Sequence, residues 1–334
     1  ARTWGTNKII IDSNGLNYQS QDDTYIVEYD TSGQTVSIVY SGATVGWIPE
    51  SDVDVTDAPL ALTQKAIFGY GYTATYVSMS NLVNSSGVVA TDVTGVGTAR
   101  DQMGAAGYGA DKAIFGYGIT SSPLFSLTNL VSNSGVVATD TTGVGTARAF
   151  IEATTYGGDK AIFAYGGTPS YVSMSNLVSS SGVVGADVTG VGTARGYLAA
   201  AGYGGDKAIF GYGNTGSVSS LSNLVSNSGV VASDVTGVGT ARSGLAATGY
   251  GGDKAIFGYG YPGAVSSLTN LVSNTGVVAA DVAGVGSARA YLAAAGYGGD
   301  KAIFGYGMTS GNVSLTNLVS NSGVVAADVT GVGT

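Results

Sequence analysis

The string Lys-Ala-Ile-Phe recurs at Lys65, Lys112, Lys160, Lys207, Lys254 and Lys301, at spacings of 47, 48, 47, 47 and 47 residues. A fixed period of this length commits the chain to a repeat architecture, because a unit this small cannot bury its apolar surface alone and must stack on its neighbours. Each unit reads, in idealised form, KAIFGYG, a variable stretch, S-L-[ST]-N-L-V-S, then N-S-G-V-V-A-x-D-V-T-G-V-G-T-A-R, then x-x-L-A-A-A-G-Y-G-G-D. The runs AIFGY, SLTNLV and GVVA are short, apolar or β-branched, and bounded by Gly, Ser and Asn, so they suit strands and are too short for helices. The Ala-rich run before KAIF, such as Leu198 to Tyr203, joins it through Tyr-Gly-Gly-Asp, whose glycines supply the positive φ of a tight hairpin. Asn227 to Gly229 marks a second turn, between the third and fourth strands.

Four antiparallel strands per unit, repeated six times, predict an all-β chain with a six-bladed β-propeller. The last unit, Lys301 to Thr334, follows the common pattern as closely as any interior one, whereas the end of an open stack departs from it. Ring closure is therefore expected. Small side chains assign the Ala-rich strand to the crowded axis. Only five such runs precede a KAIF, so Pro59 to Gln64 is expected to complete the first blade. The propeller is placed at residues 58–334. Residues 1–57 hold both tryptophans and alternating runs at Lys8 to Asp12, Thr24 to Tyr29 and Gln34 to Tyr40, which predict a small acidic β domain that docks on a larger partner.

With no His and no Cys in 334 residues, thiol nucleophiles, disulfides, Ser-His-Asp triads, imidazole bases and nearly all structural zinc sites are excluded. Residues 1–64 hold nine acids against Arg2 and Lys8, while the rest holds 13 acids against 11 bases. A near-neutral body behind an acidic segment has no footprint for nucleic acid, and no apolar run is long enough to insert in a membrane. Ala1 to Thr6 show no leader pattern.

The repeat acids fall in two slots. One is the hairpin turn at Asp111, Asp159, Asp206, Asp253 and Asp300. The other precedes T-G-V-G or a close variant, at Asp92, Asp140, Asp187, Asp234, Asp281 and Asp328. Six near-equal environments do not supply the split pKa values of a general acid and base, so no enzyme, cofactor or metal is expected. The second slot lies eight residues before Arg100, Arg148, Arg195, Arg242 and Arg289, which predicts a structural ion pair in each blade: Asp92 with Arg100, Asp140 with Arg148, Asp187 with Arg195, Asp234 with Arg242 and Asp281 with Arg289. Glu152 and Asp101 alone fall outside the two slots and would be the acids of a catalytic alternative.

The frame is nearly fixed while the stretch after Gly-Tyr-Gly (Ala-Tyr-Gly in the third unit) varies. Its aromatic and amide residues Tyr72, Tyr76, Phe125, Tyr171, Asn214, Tyr261 and Asn312 are the candidate recognition residues, on loops sharing one rim. The frame tyrosines Tyr70, Tyr117, Tyr165, Tyr212, Tyr259 and Tyr306 are expected to pack between blades with the hydroxyl bonded.

Arg, an apolar strand, Gly-Gly-Asp and a strand ending in Gly-Tyr-Gly resemble the kelch repeat over residues 59–334, without that repeat's adjacent glycines or Trp. A β-rich start with Gly46-Trp47-Ile48-Pro49, followed by Gly/Ser/Thr/Val-rich repeats, is similar to virion proteins of tailed bacteriophages. These resemblances imply a non-enzymatic tail-fibre, host-attachment or surface-decoration protein in the virion, bound to other virion proteins through residues 1–57. It would act in many copies or as a homo-oligomer and meet a host-surface glycan or protein. The alternative is a secreted or cell-surface lectin with equivalent sites between blades.

Overall fold

A computed structural model describes residues 9–21, 27–29, 36–49 and 66–333. The chain divides into two compact units, Ala1–Thr63 and Gln64–Thr334. In the first, β1 (Ile9–Ile11) pairs antiparallel with β2 (Val27–Tyr29), and β3 (Ile38–Tyr40) with β4 (Trp47–Pro49). Tyr18, Val27 and Tyr29 form its core with Ile11, Val36, Ile38 and Trp47, and the Tyr18 and Tyr29 hydroxyls share a hydrogen bond of 2.5 Å.

The second unit is a series of small antiparallel sheets with no helix among the described residues. The first sheet pairs β5 (Ala66–Tyr72) with β6 (Tyr76–Val83). Five three-stranded sheets follow: β7 (Gly104–Tyr108), β8 (Lys112–Gly116) and β9 (Thr128–Val131); β10 (Glu152–Tyr156), β11 (Lys160–Ala164) and β12 (Ser175–Val178); β13 (Ala199–Tyr203), β14 (Lys207–Gly211) and β15 (Ser222–Val225); β16 (Ala246–Tyr250), β17 (Lys254–Gly260) and β18 (Ser266–Val272); and β19 (Ala293–Tyr297), β20 (Lys301–Gly305) and β21 (Thr316–Val319). The segment expected to complete the first sheet, Pro59 to Gln64, lies outside the described residues.

The fourth expected strand is present in a broken form. Val231 and Val235 bridge Val225 and Ser222, so the five residues Val231 to Val235 on the outer segment oppose the four residues of β15. The extra residue is a bulge that interrupts the ladder.

The middle strands are apolar without alternation because both of their faces are covered. Ala255, Ile256 and Phe257 have no exposed surface, and each Phe ring crosses to the preceding sheet. There it packs at a steep angle against the frame tyrosine: Tyr70–Phe115, Tyr117–Phe163, Tyr165–Phe210, Tyr212–Phe257 and Tyr259–Phe304, with centroids 5.1–5.4 Å apart. The ring also explains a glycine, since a Cβ on Gly211 would stand 2.7 Å from Phe257. The same contact joins the last sheet to the first, as Tyr306 meets Phe68 edge-on at 5.2 Å. Tyr297, Ile303 and Leu318 pack with Ala66, Phe68 and Val83 in one cluster, and Asn312 Nδ2 donates to the Tyr72 carbonyl at 2.9 Å.

Candidate recognition face

The repeated charges serve packing. Each arginine of the frame is fully buried, and its environment is best followed at Arg195. Its guanidinium lies 4.4 Å over the Tyr165 ring of its own unit and donates into the next, from Nε to Tyr212 O at 2.9 Å and from Nη2 to Asn223 Oδ1 at 2.5 Å. Nη1 donates to Thr193 O at 3.1 Å.

The carboxylate nearest this guanidinium is not the one eight residues earlier. Arg100 meets Asp140, Arg148 meets Asp187, Arg195 meets Asp234, Arg242 meets Asp281 and Arg289 meets Asp328, each at 3.8 Å. The expected within-blade pairs are thus replaced by pairs between successive units. The reason is that the T-G-V-G-T stretch carries the arginine across to the neighbouring sheet. The same aspartate caps that stretch: Asp234 accepts from the Thr193 backbone N–H at 3.0 Å and its hydroxyl at 2.6 Å, and from Asn223 Nδ2 at 2.9 Å. Asp92 accepts from Asn81 Nδ2 at 2.8 Å.

The frame tyrosines stand as expected between sheets, with Tyr117, Tyr165 and Tyr212 donating to the carbonyls of Val144, Val191 and Val238. Burial pushes these three phenols up to about 12, so they remain neutral donors.

What differs between units gathers at one end of the strands. Isolated bridges join Asp101 to Ile119, Ala149 to Gly167, Gly196 to Asn214, Ser243 to Tyr261 and Ala290 to Met308. Five of the six variable loops are thereby tied to the residue just before the segment that leads into the first strand of each three-stranded sheet. The next residue in that segment, Gln102, Phe150, Tyr197, Gly244 or Tyr291, has φ between 54° and 60°. These five are linked from unit to unit by backbone hydrogen bonds: Phe150 N–H to Gln102 O at 3.0 Å, Tyr197 to Phe150 at 3.2 Å, Gly244 to Tyr197 at 2.9 Å and Tyr291 to Gly244 at 2.7 Å. They form one continuous row, here called the mouth, along the loop-bearing end of five successive sheets. Phe150 and Tyr197 stack at 4.3 Å, Tyr291 meets Tyr197 edge-on at 5.9 Å, and the Tyr291 ring occupies the space that a Cβ on Gly244 would need.

The loop residues divide by role. Tyr72 and Tyr76 pack edge to face at 5.2 Å, with Asn312 bonded to the Tyr72 carbonyl. Tyr72 and Tyr261 are exposed. Asn214 uses its side chain on its own loop, accepting from the Gly216 N–H at 2.7 Å, and Phe125 is half-buried. Tyr171 reaches the mouth and, with Phe150, Thr168, Ser170, Ala194 and Thr215, lines an open cleft of about 540 Å³.

The mouth residues were not singled out from the sequence, where they fall in the two unspecified positions after Arg. A bulky aromatic at three of the five copies, against Gly244 at a fourth, was the available signal.

The two acids outside the slots lie at this same end. Asp101 is raised by burial, its Oδ1 has no hydrogen-bond partner, and its charge pushes up the phenols of Tyr76 and Tyr197 after burial has done so. Glu152, at the start of β10, is pushed up to about 8 by burial. Compared with known proteins, the chain matches no family model and no curated protein.

Proposed function

We propose that residues 58–334 form a closed, kelch-like six-bladed β-propeller that acts by binding and not by catalysis. It presents its loop-bearing end to a surface ligand, in the setting of a phage tail-fibre, host-attachment or decoration protein that docks through residues 1–57. Closure is supported by the edge-on Tyr306–Phe68 contact, which repeats between the last sheet and the first the ring contact made at every other junction. The observation that carries the binding role is the confinement of sequence variation to one end of an otherwise uniform frame.

Multi-copy packing is supported by the outer edge, where Val88, Val136, Val183, Val230, Val277 and Val324 stand 60–66% exposed in equivalent positions. Lectin sites in equivalent clefts between blades are disfavoured, because the arginine, its tyrosine and the neighbouring Phe fill those junctions.

Labelled chain applied to a panel of bacterial cells tests the reading. Binding to a subset is expected. It should be lost when all six variable loops are replaced by the Asn214–Val218 sequence and kept when the lysines of the opposite turns are changed to Ser. Loss only on changing the opposite turns would overturn it, as would averaged particle images showing a blade count other than six.

A further inference from the structure

The mouth of the axis departs from what stability alone selects. Position 244 shows that glycine satisfies the left-handed backbone there, yet the equivalent positions carry Phe150, Tyr197 and Tyr291 at φ 54–56°. The frame tyrosines also have left-handed backbone, at φ 62–64°, but each is packed into a junction between sheets. Tyr291 has no comparable shelter and is 53% exposed. The rings form one connected shelf, held on a rigid chain of backbone hydrogen bonds. Left-handed aromatic residues on a rigid surround, with Tyr291 exposed and Phe150 and Tyr197 half-buried beside it, mark a ligand site.

The charge distribution selects the ligand. Among the described residues, the five arginines are sealed in the frame and the five lysines sit in the Asp-Lys hairpin turns at the opposite end of the strands, each paired with the adjacent Asp at 2.9–3.2 Å. An anionic sugar or a nucleotide would find no counter-charge at the mouth. A neutral pyranose requires none: its C–H face stacks on aromatic rings, while its hydroxyls need mixed donors and acceptors. The phenols, the exposed Gln102 amide and the hydroxyls of Thr168, Ser170 and Thr215 in the adjoining cleft supply these. A cleft of about 540 Å³ is within the range of small-ligand sites.

The geometry points to a neutral-sugar site at the axial mouth. A pyranose stacks on the Phe150–Tyr197–Tyr291 shelf, and the attached glycan runs into the cleft beside Tyr171. The inference rests on the binding role proposed above and adds the ligand class and its place.

Saturation-transfer NMR of the 334-residue chain with methyl glucoside, galactoside and mannoside, and with maltohexaose, tests it, with N-acetylneuraminic acid as the anionic probe. At least one neutral probe is expected to receive saturation at its ring C–H protons. Tyr291→Gly and Tyr197→Gly should each weaken that probe at least tenfold without lowering the melting temperature, since glycine is the residue already used at position 244. Tyr291→Trp should retain binding.

Transfer to none of the neutral probes, preference for the anionic one, or affinity unchanged in both glycine variants would overturn the site. If the glycine variants still bind cells and the uniform-loop variant does not, the mouth inference fails and the binding role stands. If the native chain binds neither cells nor sugars, both fail.

Discussion

Asn223→Leu tests the junction between sheets. The Asn223 amide is fully buried; it accepts from Arg195 Nη2 at 2.5 Å and donates to Ala232 O and Asp234 Oδ1, each at 2.9 Å. Leucine fills a similar volume and replaces none of these bonds. A hydrogen bond involving a charged group contributes roughly 1.5–3 kcal/mol and a neutral one about 1 kcal/mol. Arg195 keeps its bonds to Tyr212 O and Thr193 O, so its charge is not stranded, and the apolar side chain recovers part of the loss. The net cost should be about 3–4 kcal/mol, a large fraction of the roughly 5–15 kcal/mol that holds a domain folded.

The chain contains its own control. Asn81 makes the same two donations, to Ala90 O at 3.0 Å and Asp92 Oδ1 at 2.8 Å, but the five described arginines bond to Asn129, Asn176, Asn223, Asn270 and Asn317 instead. Asn81→Leu should therefore cost about 2 kcal/mol less than Asn223→Leu, the difference being the arginine bond. Urea unfolding followed by circular dichroism measures both, from the shift in midpoint multiplied by a common m-value. Two variants within about 0.5 kcal/mol of each other would refute the assignment of the arginine as the principal polar link between sheets.

Ala110 has φ 67° in a hairpin turn where the other described units have Gly158, Gly205, Gly252 and Gly299, so Ala110→Gly should raise stability by about 1 kcal/mol in the same urea assay. Asp140, Asp187, Asp234, Asp281 and Asp328 are pushed up by burial, but hydrogen bonds from the capped turn and the Asn, with the arginine charge, outweigh it and hold each below the usual value of 3.8. Their contribution is complete above about pH 4 and lost as pH falls through the depressed values, so melting temperature should drop on acidification below that point, and Asp234→Asn should shrink the drop. Glu152 has the opposite sign: raised from 4.5 to about 8, it binds a proton on folding, so stability should decline between those pH values. Glu152→Gln should flatten melting temperature across that window, and an unchanged slope would place the titration elsewhere.

The unit, its strand order and its turns were legible because each has a local cause. Apolar runs without alternation reflect strands covered on both faces, and Gly-Gly-Asp marks a turn that needs positive φ. The frame tyrosines could be assigned to packing because they recur without change. Partners in space were less legible. Asp234 and Arg242 are close in sequence and meet other groups, because the extended T-G-V-G-T stretch spans the gap between sheets and eight residues of separation say nothing of its direction. The mouth was missed for a related reason: Gln102, Phe150, Tyr197, Gly244 and Tyr291 are far apart in sequence, and only stacking of the units brings them into contact. The bulge in the outer segment was hidden too, since one extra residue leaves the pattern Val-Val-Ala-x-Asp-Val looking like a continuous strand.

Two kinds of left-handed residue separate what holds this chain together from what it does. Tyr212 at φ 62° carries a backbone cost of roughly 1–2 kcal/mol, and its surroundings offset it: the Arg242 guanidinium lies 4.4 Å over one face, Phe257 packs at 5.1 Å, and the hydroxyl donates to Val238 O. Five copies, Tyr70, Tyr117, Tyr165, Tyr212 and Tyr259, repeat that solution, as a structural role requires. Tyr291 carries the same cost with its ring largely in solvent, beside Gly244, which avoids it. A chain of near-identical repeats arises with every position alike, so a costly aromatic at three mouth positions and glycine at a fourth reflects a demand made on that face alone. On the proposed binding role, contact with a ligand is such a demand, because one ligand meets these unlike positions together and does not meet each unit in the same way.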